Sequence, residues 1–374
     1  MTDEELRYRL ALTLVPNIGD VLARSLLEHF PTARDIFEAP EKLLSAAPGI
    51  GPSRAKNIRQ FHDFERVEEE MSFLRRYRIH PLFYTDAAYP EKLRNCYDSP
   101  VMLYYRGNTD LNHAPVVGIV GTRYCTAYGK AVCEKLVREL AAVGVVVVSG
   151  LAYGIDIAAH KAALEAGLPT IAVLAHGLDR IYPPAHQAVA RQMPEQGGLL
   201  TDFMSGTLPD KRNFPRRNRI VAGMADATIV VETGLRGGSM ITAELANSYN
   251  RDVFAFPGRV GDARSAGCHY LIRKNKAALI TGAADLLELM GWEVPETAGQ
   301  PEERPRDTGD DEKFGEDEKK MLALLQRQPV LHIDEISRES GLSPARIATA
   351  MLNLEIRDIV QALPGKLYSL VSGF

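Results

Sequence analysis

The sequence predicts an α/β protein: a doubly wound, mostly parallel sheet preceded by an all-helical N-terminal domain and followed by a winged helix. Three observations carry that expectation. Between residues 112 and 292, five short aliphatic runs alternate with helix-length amphipathic segments. Residues 1–64 contain one helical pattern twice. Residues 316–374 read as helix, helix, turn, helix and hairpin. A chain of 374 residues has room for two or three domains.

In residues 1–64 the repeat is LTLVPNIGDVLARSLLEHF and LLSAAPGIGPSRAKNIRQF, with Gly19 and Gly51 equivalent. The layout resembles a tandem helix-hairpin-helix or SAM-like domain. Its tight turn offers backbone N–H groups at a helix N-terminus, where a phosphate can sit. The second copy has Gly49 where the first has Asn17. A purely structural module that contacts protein fits the pattern equally well. Residues 65–111 form a connector, a charged helix over 65–77 and then an aromatic-rich stretch that should pack on the next domain.

Residues 112–292 supply the sheet. VVGIV (116–120), VVVVS (145–149), TIAVL (170–174), ATIVV (227–231) and DVFAF (252–256) are continuous apolar runs. Such runs suit strands buried on both faces, hence a parallel sheet covered by helices. The helices fall near 127–143 and 155–166. In such folds ligands bind beyond the carboxyl ends of the strands, where strand order reverses.

Residues 293–315 are rich in Pro, Gly and acids and read as a flexible acidic linker. Residues 316–374 then give helices at 316–327, 332–340 and 344–356, with Ser343 as N-cap and a hairpin around Pro364-Gly365. The third helix offers only Arg346 and Arg357 to a phosphate. That favours a protein-contact or auxiliary role over duplex reading.

The net charge is -4, and residues 300–320 hold nine acids against five bases, which accounts for all of it. A basic patch elsewhere is therefore compatible with the acidic total. The four cysteines, Cys96, Cys125, Cys133 and Cys268, are scattered and form no metal or disulfide pattern. No signal-peptide core and no run long enough to span a bilayer is present, so a cytoplasmic protein with no membrane contact is expected.

The chemistry gathers on three turns that follow strands: Gly121-Thr122-Arg123, Ser149-Gly150-Leu151-Ala152-Tyr153-Gly154 and Gly234-Leu235-Arg236-Gly237-Gly238-Ser239. Together they would make a phosphate-binding shelf of backbone amides and helix N-termini. The stretch Lys211-Arg212-Asn213-Phe214-Pro215-Arg216-Arg217-Asn218-Arg219 adds five cations within nine positions beside one aromatic. Pro215 suits a first helical turn, and Ile220, Val221 and Met224 define a buried face. Arg217 projects toward that face, where a salt bridge to Asp156 or Glu232 is its structural alternative. Arg219 and Asn218 point elsewhere, with Arg216 at the margin. Phe214 either packs inward or lies exposed, where it could stack on a base of a single strand.

Neither G-x-G-x-x-G nor a Walker A motif is present, which argues against NAD and ATP. No catalytic constellation, metal cluster or cofactor signature stands out. Asp156 and His160, one helical turn apart, read as a local structural pair.

Taken together, GIVGTR (118–123), SGLAYGIDIAAHKAAL (149–164), NFPRRNRIVAG (213–223), VVETGLRGGSMITAELA (230–246) and NRDVFAFPG (250–258) resemble the DNA-processing protein A (DprA/Smf) family. YPEKLRNCYDSPVMLYYRGN (89–108) is similar to that family's lead-in. The resemblance implies a Rossmann-like core that binds single-stranded DNA, a homodimer, and delivery of RecA recombinase onto incoming DNA during natural transformation, without catalytic turnover. It places DNA contacts at Arg123, Ser149, Gly150, Lys211, Phe214, Arg217, Asn218 and Arg219, and also at Gly238, Ser239 and Arg251; Gly121 and Thr122 belong to the same shelf. A second reading is a nucleoside-monophosphate phosphoribohydrolase, whose P-G-G-x-G-T-x-x-E loop is similar to Gly237-Gly238 with Glu244 at the matching offset. Met240 and Ile241 stand where that loop needs Gly and Thr.

Overall fold

The computed structural model describes residues 2–112, 114–293, 314–328, 330–357, 359–363 and 367–370. The chain divides into two compact units, 1–298 and 299–374. In the first, six helices lead: α1 (Asp3–Leu14), α2 (Asp20–His29), α3 (Ala33–Glu38), α4 (Glu41–Leu44), α5 (Pro52–Arg59) and α6 (Phe64–Arg76). Then come β1 (His80–Phe83), α7 (Glu91–Arg94), β2 (Met102–Gly107), β3 (Val116–Val120), α8 (Ala127–Leu140), β4 (Val146–Ser149), α9 (Ile155–Glu165), β5 (Thr170–Val173), α10 (Gln187–Gln192) and β6 (Gly197–Thr201). The unit closes with α11 (Asn213–Met224), β7 (Ala227–Val230), α12 (Gly238–Ser248), β8 (Asp252–Ala255), α13 (Ala266–Arg273), β9 (Ala278–Leu279) and α14 (Ala283–Met290).

The two hairpin turns are built alike. Gly19 and Gly51 are the N-caps of α2 and α5. Asn17 and Gly49, the non-identical pair, share a left-handed backbone with φ 62° and 80°. Asn tolerates that region better than other L-residues, which explains why it can replace glycine there. The copies also grip each other reciprocally: Ser25 Oγ donates to the Pro48 carbonyl, and Asn57 Nδ2 donates to the Pro16 carbonyl.

The nine strands form one sheet in the order β1-β2-β6-β5-β4-β3-β7-β8-β9. From β6 to β9 all neighbours are parallel; β2 pairs with β6, and β1 with β2, in antiparallel fashion. The five expected strands are in place, each buried throughout except at Asp252. Three elements differ from the sequence reading. The connector supplies β1 and β2 to the sheet instead of merely packing on it. Gly197–Thr201 adds β6 between them and the parallel set. The helical module shares its core with Phe83, Val101, Met102 and Tyr104 of this extension.

The chain runs β3, β4, β5, β6 outward, then returns to lay β7 against the other side of β3. Strand order therefore reverses between β3 and β7. Separate apolar clusters cover the two faces of the sheet, one with α11, α12 and α13, the other with α8, α9 and α14.

The second unit contains α15 (Glu316–Arg327), β10 (Val330–His332), α16 (Ile333–Ser340), α17 (Pro344–Ile356), β11 (Val360–Leu363) and β12 (Leu367–Leu370), with strand order β10-β12-β11. This is a winged helix with its own core, including Met321, Leu325, Ile347 and Leu354. In α17, Arg346 is held by both carboxyl oxygens of Asp317 at 2.8 and 2.5 Å. The expected turn at Pro364-Gly365 and nearly all of the expected linker lie outside the described residues. Among the described residues no helix is long and apolar enough to cross a membrane.

Candidate nucleic-acid interface

A cleft of about 300 Å³ opens at the point where strand order reverses. Its walls come from the turn after β3, the turn after β4, the first turns of α11, and the N-terminus of α12. Of the residues expected from sequence, Gly121, Thr122, Arg123, Gly150, Phe214, Arg217, Asn218, Gly238 and Ser239 line it. Tyr124, Asp156, Pro215 and Thr242 line it too.

Each wall has a local cause. The turn after β3 is tied to β7: Thr122 N–H donates to the Glu232 carbonyl at 2.7 Å. The buried Glu232 carboxylate accepts from the Thr126 amide at 2.8 Å and the Thr126 hydroxyl at 2.5 Å. Glu232 thus fixes the loop that carries Arg123, instead of pairing with Arg217. Across the cleft, α12 starts at Gly238 after a Gly237 cap that provides no side-chain partner. Its first amides face the cleft, a place that favours anions. The Ser239 hydroxyl is turned inward to Thr233 Oγ1 at 2.7 Å.

Arg217 forms the floor. It is buried, and its Nη1 donates to the Gly150 carbonyl at 2.5 Å and to the Val173 carbonyl. Asn218 Oδ1 accepts from its Nε at 3.1 Å. Burial pulls its pKa down to about 10, with Asp156 opposing, so it stays charged at neutral pH. Burial likewise pushes the Asp156 carboxyl up, with Arg217 opposing. Gly150 has to be glycine: a Cβ there would lie 2.4 Å from Arg217 Nη2 and 2.7 Å from Asp156 Oδ2.

Above the floor, Arg123 lies over the Phe214 ring, 5.2 Å from its centroid, and Tyr182 approaches the same ring at 6.1 Å. Phe214 is half-buried, neither a core residue nor a free one. Arg123, Lys211, Arg212 and Arg236 are all exposed, and among the described residues none of these four side chains forms an ion pair.

Four expected residues are not at the cleft surface. Ser149 is fully buried, its hydroxyl donating to the Ile119 carbonyl at 2.6 Å. Lys211 stands exposed before α11 and does not line the cleft. Arg219 points to the other side of α11, where it is buried between Asp20 and Asp202 at 2.9 Å each and donates to the Asp98 carbonyl. Burial opposes its charge, but Asp202 and Asp20 outweigh that and raise its pKa. Arg251 precedes β8, so it sits at the amino end of the sheet, donating to the Lys92 carbonyl at 2.8 Å. The Asp156–His160 pair does not form either; His160 Nδ1 meets Thr170 Oγ1 at 2.7 Å.

The first hairpin is spent in the same way. Asp20, just after Gly19, accepts from the Val101 amide at 3.1 Å as well as from Arg219. The second hairpin turn, around Gly49 and Pro52, remains exposed.

His160 yields a test of pH dependence. Burial, with Arg217 and His186 nearby, lowers its pKa from 6.5 to about 3. The unfolded chain therefore binds a proton that the folded chain refuses between those values. Stability contributed by neutral His160 is complete above pH 6.5 and is lost as pH falls toward 3. The slope is roughly 1.4 kcal/mol per pH unit in that window. Urea titrations of wild type and His160→Gln at pH 7 and 5 should show a flatter pH dependence for the variant.

The glutamate that matches the phosphoribohydrolase loop is elsewhere. Glu244 does not line the cleft and pairs with Lys276 at 2.6 Å on the outer surface.

Comparison with known proteins gives a consistent picture. The family model for DNA recombination-mediator protein A matches residues 80–291. Models for the DprA winged helix domain and a SAM-like helix-hairpin-helix tandem match residues 300–366 and 10–61. The chain is 33% identical to protein Smf of Synechocystis sp., over 98% of this chain and 99% of the relative. It is 45% identical to DNA processing protein DprA of Streptococcus pneumoniae over 54% of this chain and 71% of that one. The crystal structure of the S. pneumoniae protein superposes with a TM-score of 0.65 and 34% identity, covering 77% of this chain and 98% of that chain. A Helicobacter pylori DNA processing protein A, studied for its single-stranded DNA binding mode, gives a TM-score of 0.52 and 33% identity over 57% of this chain and 95% of its own.

Proposed function

The chain belongs to the DNA recombination-mediator protein A (DprA/Smf) family, and from that premise we propose that its cleft and the cations around it bind single-stranded DNA without catalytic turnover. In this reading the protein works in the cytoplasm as a homodimer, protecting incoming strands and loading RecA recombinase onto them during transformation or recombination. The observation that carries it is Arg123 over a half-buried Phe214 in the cleft at the switch point of the sheet, with exposed Lys211 and Arg212 just before α11 and Arg236 just before α12. Backbone charge meets cations and the α12 N-terminus, while a base meets an aromatic face. Asp156 is the carboxylate of the cleft, and its hydrogen bond from the Ala152 amide at 3.3 Å and the Arg217 beside it suit a structural floor.

Two variants separate the parts. Phe214→Ala should weaken single-strand binding by about 1–3 kcal/mol with an unchanged salt slope. Lys211→Ala should instead reduce the slope of log K against log[salt] by about 0.7. Fluorescence anisotropy with an oligo-dT over a salt series measures both. If both variants bind like wild type, the strand lies elsewhere. Release of free base from a nucleoside monophosphate, abolished by Glu244→Gln, would favour the hydrolase reading.

A further inference from the structure

Three tyrosines stand exposed at the carboxyl ends of three neighbouring strands. Tyr124 follows β3 and is 80% exposed, Tyr153 follows β4 and is 47% exposed, and Tyr182, on the loop after β5, is 42% exposed. The strands β5, β4 and β3 are adjacent in the sheet, so their ends step by about 4.8 Å. A single exposed aromatic on a protein surface is ordinary. Three beyond the carboxyl ends of adjacent strands, beside a cationic cleft, are a repeated feature of one sheet edge.

Nor are these rings loose. Tyr182 leans on Phe214, with ring centroids 6.1 Å apart. Tyr153 packs edge-on against His186 at 4.8 Å, and His186 Nδ1 is itself tied to the Leu151 carbonyl at 2.8 Å. The Tyr124 amide donates to Thr122 Oγ1 at 3.2 Å, which holds its backbone beside Arg123. Tyr153 and Tyr182 thus keep an open face while one side is braced. Bracing lowers the conformational entropy lost when a ligand stacks on it.

We propose that Tyr124, Tyr153 and Tyr182 form a stacking track that carries the bases of a single strand across the strand ends, from the cleft at β3 toward β5. The inference rests on the single-stranded DNA reading of the cleft and deepens it. The cleft with Phe214 and Tyr124 holds one point of the strand, and Tyr182 and Tyr153 extend the contact to further nucleotides. Stacking on a ring accepts any base, because every base has a π-face. The track therefore adds length dependence and affinity but no sequence preference.

The test uses the full chain and dT oligomers of increasing length, read by anisotropy at one salt concentration and then over a salt series. A Tyr153→Ala variant leaves the cleft lining and the Tyr182–Phe214 contact intact. It should bind the shortest oligomer that wild type holds as wild type does, yet lose about five- to 150-fold in affinity for longer ones. Its salt slope should not change. Adding Tyr124→Ala and Tyr182→Ala, which reach the cleft, should weaken binding at every length, and Tyr→Phe changes at all three positions should restore wild-type behaviour. Tyr153→Ala binding equal to wild type at every length overturns the track and leaves the cleft reading standing. A loss that Tyr→Phe reproduces overturns stacking in favour of hydroxyl contacts. Wild type that binds no single strand removes the track together with the reading beneath it.

Discussion

Arg217→Ala is expected to lose about 3–5 kcal/mol of stability, because it strips two buried carbonyls of their donor and takes away the cation near the buried Asp156 carboxyl. The Asp156 carboxyl would remain buried without its cation, and the Gly150 and Val173 carbonyls would lose their donor. In a unit of this size that loss corresponds to a fall in Tm of roughly 6–20 °C. Calorimetry measures it. The deficit should shrink as pH is lowered, because a protonated Asp156 no longer needs a partner. Arg217→Lys should rescue poorly: a point charge on a flexible stem cannot serve two carbonyls as a planar fork does. A variant that melts with wild type at neutral pH would mean that Asp156 is already neutral there.

Arg219→Ala, two residues along the same helix, should fail differently. It leaves the buried Asp202 and the part-buried Asp20 with Arg216 alone as their cation. Roughly 1–3 kcal/mol of stability should go with it, the cost of a lost charge-assisted donor. Since Arg219 holds α2 against α11 on the side away from the cleft, its removal should leave the salt slope of DNA binding unchanged. Limited proteolysis should then cut between the helical module and the sheet sooner than in wild type. A reduced slope in an intact, equally stable Arg219→Ala protein would return this residue to the DNA surface.

These two arginines mark the limit of what could be read from the sequence. Arg217 was legible because Ile220, Val221 and Met224 set the phase of α11 and put it on their face. Arg219 was not, because its partners Asp20 and Asp202 lie far off in sequence and give no local signal. Arg251 could have been excluded, since a residue before a parallel strand stands at the amino end, away from the ligand edge. The five central strands announced themselves as continuous Val and Ile runs. The strand β6 did not, for it opens with Gly197-Gly198 and offers only two leucines. The strands β1 and β2 hid in an aromatic-rich stretch whose apolar side chains fit packing as well as pairing. The exposed tyrosines escaped notice because position on a sheet edge, unlike composition, appears only when the strands are ordered.

The antiparallel extension has a consequence for synthesis. Tyr105 pairs with Leu200, 95 residues further along the chain. At roughly 5–20 residues per second, β2 waits about 5–20 s on the ribosome for its partner strand. During that interval Phe83, Met102 and Tyr104 would be exposed aggregation sites if nothing covered them. The helical module is made first and shares a core with those side chains. It therefore shields the nascent edge until β6 emerges, so a chain started after α6 should aggregate during translation even where the finished sheet is stable.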